Sequence, residues 1–405
     1  MNVTCATTPT QAGASLPRRI VRAGEARARF GPLADRLFAA LGRGDPLADD
    51  AVTALAGRRD AGALLQRGCA GHVLGDAPPA LRRFFDANHQ VPGFVDEARA
   101  RRGARIFFRA GMAGGITLGA KSLIGGYCAP AGNKPLAFSG ALERRMSRRL
   151  AETGRFVVAT HEEDGLHPGR PGWGITLRVR LMHAQVRQLL TRDPRWSPDW
   201  GVPINQHDML ATTLLFSSVF LEGCREFGVP IAPDEADDFV HLWRWSGWLM
   251  GVDPALLPRS DREGRRLTRF IALTQGPPDD DSRALTRGLL SAPAPSGAPA
   301  FERWLARSQG ALGEGFCRVL LGDELADGLG LARTRARLVI PSIRTALTLT
   351  RLLLPPAARG PLRARAERFG ERYWDRNVRL GLDGLPATFR LPSRLEGAPR
   401  TEAGS

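Results

Sequence analysis

Apolar residues in this chain recur mostly at spacings of three, four and seven, the period of one face of an α-helix. Leu33, Leu37, Phe38 and Leu41 set such a stripe over 33–41, and shorter runs at 61–65 and 81–85 are compatible with it. The same period predicts helices over 98–113, 136–153, 175–191, 206–227, 234–250, 264–274, 301–321, 333–354 and 361–379. Proline and glycine punctuate them, at Pro130 and Pro135, Gly165 through Gly174, Pro194, Pro198, Pro203, Pro230, Pro233, Pro254 and Pro258. Alternating strand patterns of useful length are absent, so the fold class predicted is all-α.

Organisation follows from where the pattern lapses. Residues 276–299 are rich in Pro, Asp, Ser and Ala and read as a linker loop. They separate a central helical core, 95–275, from a C-terminal helical extension, 300–385. An N-terminal helical segment, 1–94, is expected to pack on the core, and 386–405 reads as a flexible tail.

The best apolar run, Met209 to Leu221, is flanked by Asp208 and Glu222. It falls short of the roughly 20 residues a bilayer span needs, so it reads as a core helix and no transmembrane segment is expected. Arg18-Arg19 is followed by Arg22, Glu25 and Arg27 where an export signal would be uncharged. A cytoplasmic location is therefore expected. Five cysteines, odd in number and far apart, suggest isolated thiols rather than a disulfide or zinc framework.

The formal charge of +16 invites a nucleic-acid reading, but only Lys121 and Lys134 are lysines and the arginines are spread along the chain. No basic tail, zinc module or aromatic RNA-binding signature accompanies them, so no specific nucleic-acid partner is expected. A dispersed, solvated surface accounts for the charge; it also favours peripheral contact with anionic membranes or acidic partners.

The segment Gly174–Leu190 carries the candidate chemistry. On a helix, Val179, Met182, His183, Val186, Leu189 and Leu190 share one side, with Arg180 and Arg187 pointing another way. A histidine in a core-facing stripe needs a hydrogen bond or a metal, and a satisfied core histidine is the commoner outcome. Upstream, Ala141–Thr153 forms a second helix ending at Gly154, with Arg149, Thr153 and, one step aside, Glu152 on one side. Two helices joined by the polar loop 160–174 can pack on opposite faces of a flat ligand such as haem. A surface Arg–Glu pair at helical spacing is the plainer alternative.

These residues also carry a family resemblance. Arg149-Leu150-Ala151-Glu152-Thr153 is similar to the Arg-x-x-Lys-Thr motif of the rubber oxygenase (latex-clearing protein) family and its MpaB-type relatives, the fungal oxygenases of mycophenolic acid biosynthesis. In that family a histidine thirty residues after the motif threonine is the proximal haem ligand; here that position is His183. Ser122-Leu123, Tyr127, Pro130, the stretch 203–209 and the aromatic stretch 242–252 extend the match over about 95–260.

The resemblance implies a helical bundle with a globin-like core around haem b, with His183 on the iron. It implies an oxygenase that uses O2 on a small apolar, unsaturated substrate of isoprenoid or lipid type. Arg149 would hold a propionate or a negative charge developing on oxygen, Thr153 would offer a hydroxyl near oxygen, and Glu152 would serve as base for an allylic proton. Glu152 stands where the family has lysine, which argues against a lysine-ligated resting state and against polyisoprene itself as substrate. A haem-binding sensor or storage protein, and a helical scaffold without haem, are the alternative classes.

Other histidines are expected to do less. His207 sits where Asn205 or Asp208 caps a helix, His241 beside aromatic packing, and His161 and His167 in a solvent-exposed loop.

Overall fold

Many helices of this chain begin on a signal visible in the residues themselves. Asp45, Asp96, Asn205 and Ser260 each accept a hydrogen bond from a backbone N–H in the first turn that follows them, satisfying donors that the helix cannot. Proline opens others, where a missing N–H costs nothing. The computed structural model describes residues 16–138, 146–290, 300–353, 355–389 and 391–392. Among them every regular element is helical.

The N-terminal segment contributes α1 (Ala23–Phe30), α2 (Pro32–Ala39), α3 (Pro46–Leu55), α4 (Ala61–Cys69) and α5 (Pro79–His89). The middle is built from α6 (Glu97–Thr117), a π-helical turn (Leu118–Leu123), α7 (Ile124–Tyr127), α8 (Pro130–Phe138), α9 (Met146–His161) and α10 (Pro171–Thr191). Then come α11 (Gln206–Phe216), α12 (Ser218–Glu226), α13 (Pro233–Leu249) and α14 (Asp261–Thr274). The C-terminal part holds α15 (Asp280–Leu290), α16 (Ala300–Leu321), α17 (Asp323–Gly328), α18 (Val339–Leu353) and α19 (Pro356–Gly381).

α6 is the spine, with α13 on one side and α19 on another. Glycine permits both approaches. A Cβ at Gly103 would stand 2.3 Å from the Asp238 carbonyl oxygen of α13, and one at Gly370 only 1.7 Å from that of Phe108. Neither obstacle is a side chain that could turn aside. Around this spine, Phe107, Phe156, Phe220, Phe239, Trp243 and Trp374 form one apolar cluster. Phe84, Trp173, Leu177, Leu181 and Trp245 form a second, under α3 and α5.

Several predicted boundaries shift. The 206–227 helix is two, broken at Ser217, whose φ/ψ of −107/−91 is not helical. The second candidate helix does not end at Gly154: α9 runs on to His161, because Phe156, Val157 and Ala159 are buried, outweighing the ~1 kcal/mol a mid-helix glycine costs. The part of that prediction over 139–145 lies outside the described residues. The stretch read as a bare linker contains α15, with Lys134 ion-paired to Asp279 and Asp281 beside it; 291–299 lie outside the described residues. The C-terminal extension packs into the core itself, since Trp374 of α19 stacks on Phe107 with ring centroids 4.7 Å apart. Of the stretch read as a tail, Phe389 is buried in the same cluster, and 393–405 lie outside the described residues.

Candidate functional site

α9 and α10 form an antiparallel hairpin. Trp173 N–H donates to the Gly165 carbonyl at its turn, and a Cβ on Gly172 would meet the Ala159 carbonyl oxygen at 2.5 Å. One step inward, Val157 and Val158 share an apolar cluster with Ile175 and Val179. Continued along the pair, this register carries the turn bearing Arg149, Glu152 and Thr153 toward the turn bearing His183.

The faces of α10 are divided otherwise than the periodicity predicts. Arg180 and Arg187 lie on the more deeply buried side, while Val179, Met182, His183 and Val186 are only half-buried. Ion pairing is the cause. Arg180 grips Asp45 through two hydrogen bonds of 2.6 and 2.9 Å and also donates to Asn88 Oδ1 and the Leu249 carbonyl. Arg187 pairs with Asp49 and donates to the carbonyls of Pro203 and Ile204. The arginines thus bind α10 to α3, and the histidine stripe is left half-buried on the other side.

Neither ring nitrogen of His183 has a hydrogen-bond partner among the described residues, and Nδ1 is sealed from solvent. Burial, reinforced by the Arg187 charge and only partly opposed by Asp45, pushes its pKa down to about 4. At neutral pH the ring is therefore uncharged, with a lone pair to give.

Arg149 and Thr153 share this lack of partners. No hydrogen bond or ion pair engages the half-buried Arg149 guanidinium among the described residues, and none engages the Thr153 hydroxyl. Burial acts against the Arg149 charge, with Tyr127 and Glu152 opposing it. Burial likewise pushes the Tyr127 phenol up to about 12. Glu152 is different. Its Oε1 accepts from the backbone N–H and the hydroxyl of Thr388, both at 3.3 Å, and lies 3.3 Å from Arg148. Neither lysine is free: Lys121, buried in the π-helical turn, binds Glu226 at 2.7 Å and the Leu320 carbonyl at 2.9 Å, and Lys134 is paired as above.

Of the remaining histidines, His161, His207 and His241 are buried. His207 is fully buried against Asp208, whose carboxylate is held by Arg19, while Asn205 caps α11. His241 Nε2 accepts from the Asp96 N–H. His161, expected in an exposed loop, is instead 2% exposed at the end of α9. It lies between the rings of Phe107 and Phe239, 4.2 and 5.5 Å away, and its Nδ1 donates to the Val157 carbonyl. Only the extension of α9 past Gly154 brings it there. His161 lines a cleft of about 1040 Å³ bounded by α6, the α9–α10 turn and α19. Arg101, Arg105, Glu162, Asp164 and Asp375 make that cleft mixed in charge. It lies at the turn end of the hairpin, and none of Arg149, Glu152, Thr153 or His183 lines it.

Burial pushes the His161 pKa down to about 3, the hydrogen bond to Val157 only partly opposing it. Its folded pKa lies below the ordinary value of about 6.5, so the unfolded chain takes up protons first as pH falls. The stabilisation is complete above about pH 6.5 and is lost toward the folded value, at about 1.4 kcal/mol per pH unit. In urea titrations between pH 5 and 6.5, His161→Phe is expected to flatten the pH dependence by about that slope. An unchanged slope would mean that the ring is solvated.

The fold and this hairpin place the chain among the all-helical domains. The family described as "ER-bound oxygenase mpaB/B'/Rubber oxygenase, catalytic domain" matches residues 104–381, and the chain belongs to it. The rubber oxygenase of Streptomyces sp. (strain K30) is 26% identical over 263 residues, covering 64% of this chain and 62% of that protein. The chain thus spans just under two thirds of that relative's length. The solved structure of latex clearing protein LCP in the closed state aligns with a TM-score of 0.66 at 23% identity, over 82% of this chain and 90% of that one. At that identity the likeness is one of fold.

Among the described residues no cluster of three or more metal-ligating side chains occurs. A porphyrin iron asks less of the protein, since the macrocycle supplies four nitrogens and the chain one axial ligand. A neutral unpartnered imidazole, flanked by apolar Val179, Met182 and Val186, together with an unpartnered guanidinium suited to a carboxylate, fits that demand.

Proposed function

We propose that this chain is a haem b-dependent oxygenase that uses O2 on an apolar, unsaturated substrate of isoprenoid or lipid type. One observation carries the reading within the family: His183, Arg149 and Thr153, on two helices of one hairpin, all have polar ends without partners among the described residues. Leaving the sealed His183 Nδ1 unpaired costs about 1–3 kcal/mol, which a bound ligand would recover.

The chain's own groups have distinct tasks in this proposal. His183 would hold the iron, Arg149 would hold a propionate carboxylate, and Thr153 would offer its hydroxyl beside the bound group. Haem, when bound, would supply the binding and activation of O2. Glu152, anchored through Oε1 by Thr388, keeps Oε2 without a partner among the described residues, and that oxygen takes a proton from the substrate. The globin-like arrangement and the grouping of 95–275 as the haem-binding core belong to the same proposal, as does a cytoplasmic location, which the separated free cysteines Cys69, Cys128, Cys224 and Cys317 suit.

Purification with added haem, an absorption spectrum and a pyridine-haemochrome assay test the cofactor; O2 uptake with an unsaturated isoprenoid tests the activity. A Soret band without substrate-dependent uptake would favour a haem-binding protein, and no band would remove the cofactor. Glu152→Gln is expected to keep its haem and lose about 100-fold in uptake, the lower end of acid–base effects. Uptake at the wild-type rate would leave Glu152 as a latch for Thr388.

A further inference from the structure

α18 departs from the rule that apolar helices are covered. From Arg344 to Leu353 every residue whose burial is described is exposed, including Leu347, Leu349, Leu352 and Leu353, the last two at 74% and 84%. Leu338, just before it, is exposed as well. Its hydroxyls are turned inward: Ser342, Thr345, Thr348 and Thr350 each donate to the carbonyl four residues back, at 2.8–2.9 Å. This back-bonding removes the donors that would otherwise resist transfer into an apolar medium. The helix shows water little that is polar except arginine.

Charge around it has one sign. Between Asp327 and Glu367 the sequence holds no acidic residue and eight arginines. Arg335, Arg337, Arg344, Arg359 and Arg365 have no ion-pair partner among the described residues. An exposed apolar helix ringed by unpaired arginines complements a surface with an acyl interior and phosphate headgroups. A twofold contact with a second copy would bring the same cations together without an acid to answer them. Fifteen residues rise about 22 Å, short of the ~30 Å hydrocarbon layer, and no helix among the described residues is long and apolar enough to cross a membrane.

We infer that α18, with the arginines before it and at the start of α19, is a peripheral membrane anchor that dips Leu349, Leu352 and Leu353 into the headgroup region of an anionic bilayer. This does not depend on the oxygenase reading. The test is flotation of the purified full chain with phosphatidylcholine vesicles, with and without phosphatidylglycerol. The chain is expected to float with the anionic vesicles, to be released as salt rises, and to remain below the neutral ones. Leu352→Glu/Leu353→Glu, at exposed sites, is expected to keep the far-ultraviolet circular dichroism and lose about tenfold or more in vesicle affinity. In Leu349→Trp the added fluorescence should lie to the blue and be quenched by brominated lipid. Equal flotation of the double variant and the parent overturns the proposal, as does no flotation with anionic vesicles. A parent dimer that the double variant splits would assign the face to a second copy instead.

Discussion

His183→Ala is expected to abolish stable haem loading while leaving the fold intact. The imidazole is neutral at pH 7 because burial pushes its pKa to about 4, and neither nitrogen has another partner among the described residues. His161, His207 and His241, by contrast, each commit a ring nitrogen to a hydrogen bond. Removing an outer partner of a metal ligand typically weakens binding about 10–100-fold, so removing the ligand itself should exceed about 100-fold. Haemin titration followed by quenching of tryptophan fluorescence reads this without any turnover. The apo variant should unfold at or above the parent's temperature, because a buried polar atom without a partner has been taken away. Haemin affinity equal to the parent's would remove His183 from the proposal and the haem reading with it.

The second large effect lies behind that histidine. Asp45→Ala strands the Arg180 guanidinium among α3, α5, α10 and the end of α13, where it also meets Asn88, Leu249 and the face of Phe84. Both charges are at least nine-tenths buried. Breaking such a pair from one side costs about 3–5 kcal/mol, whereas replacing both partners with apolar groups can be neutral. Urea unfolding should therefore show a large loss for Asp45→Ala and recovery of at least half of it in Asp45→Leu/Arg180→Met. If the double variant is no better than the single, the pair contributes through its hydrogen bonds to Asn88 and Leu249 rather than through charge compensation.

Helices were legible wherever one face is apolar and the other is not. Hence α10, α13, α14 and α16 stand close to where periodicity predicts them. The site was legible only in part. Spacing finds His183, but an apolar stripe is read as the buried face, and α10 buries its arginines instead; Asp45 and Asp49, which cause this, lie some 135 residues away in sequence. Gly154 and the polar run after Thr160 suggested an end to α9, although the run Phe156, Val157 and Ala159 was the contrary signal, and it would have moved His161 from loop to core. Glu152 could be named as the odd residue of its motif, yet its tie to Thr388 depends on how the C-terminal segment returns, which no local pattern records. α15 was missed because its acidic start and neighbouring prolines resemble a linker.

The glycine seams of α6 bear on how this protein is made. α6 leaves the ribosome early, but α19, which covers one of its flanks at Gly370, begins roughly 240 residues later. At about 5–20 residues per second that flank waits on the order of 12–50 s for its cover. Nascent chains stalled before α19 should thus expose Phe107 and its neighbours and recruit chaperones, and shortening the wait should raise the yield of folded protein.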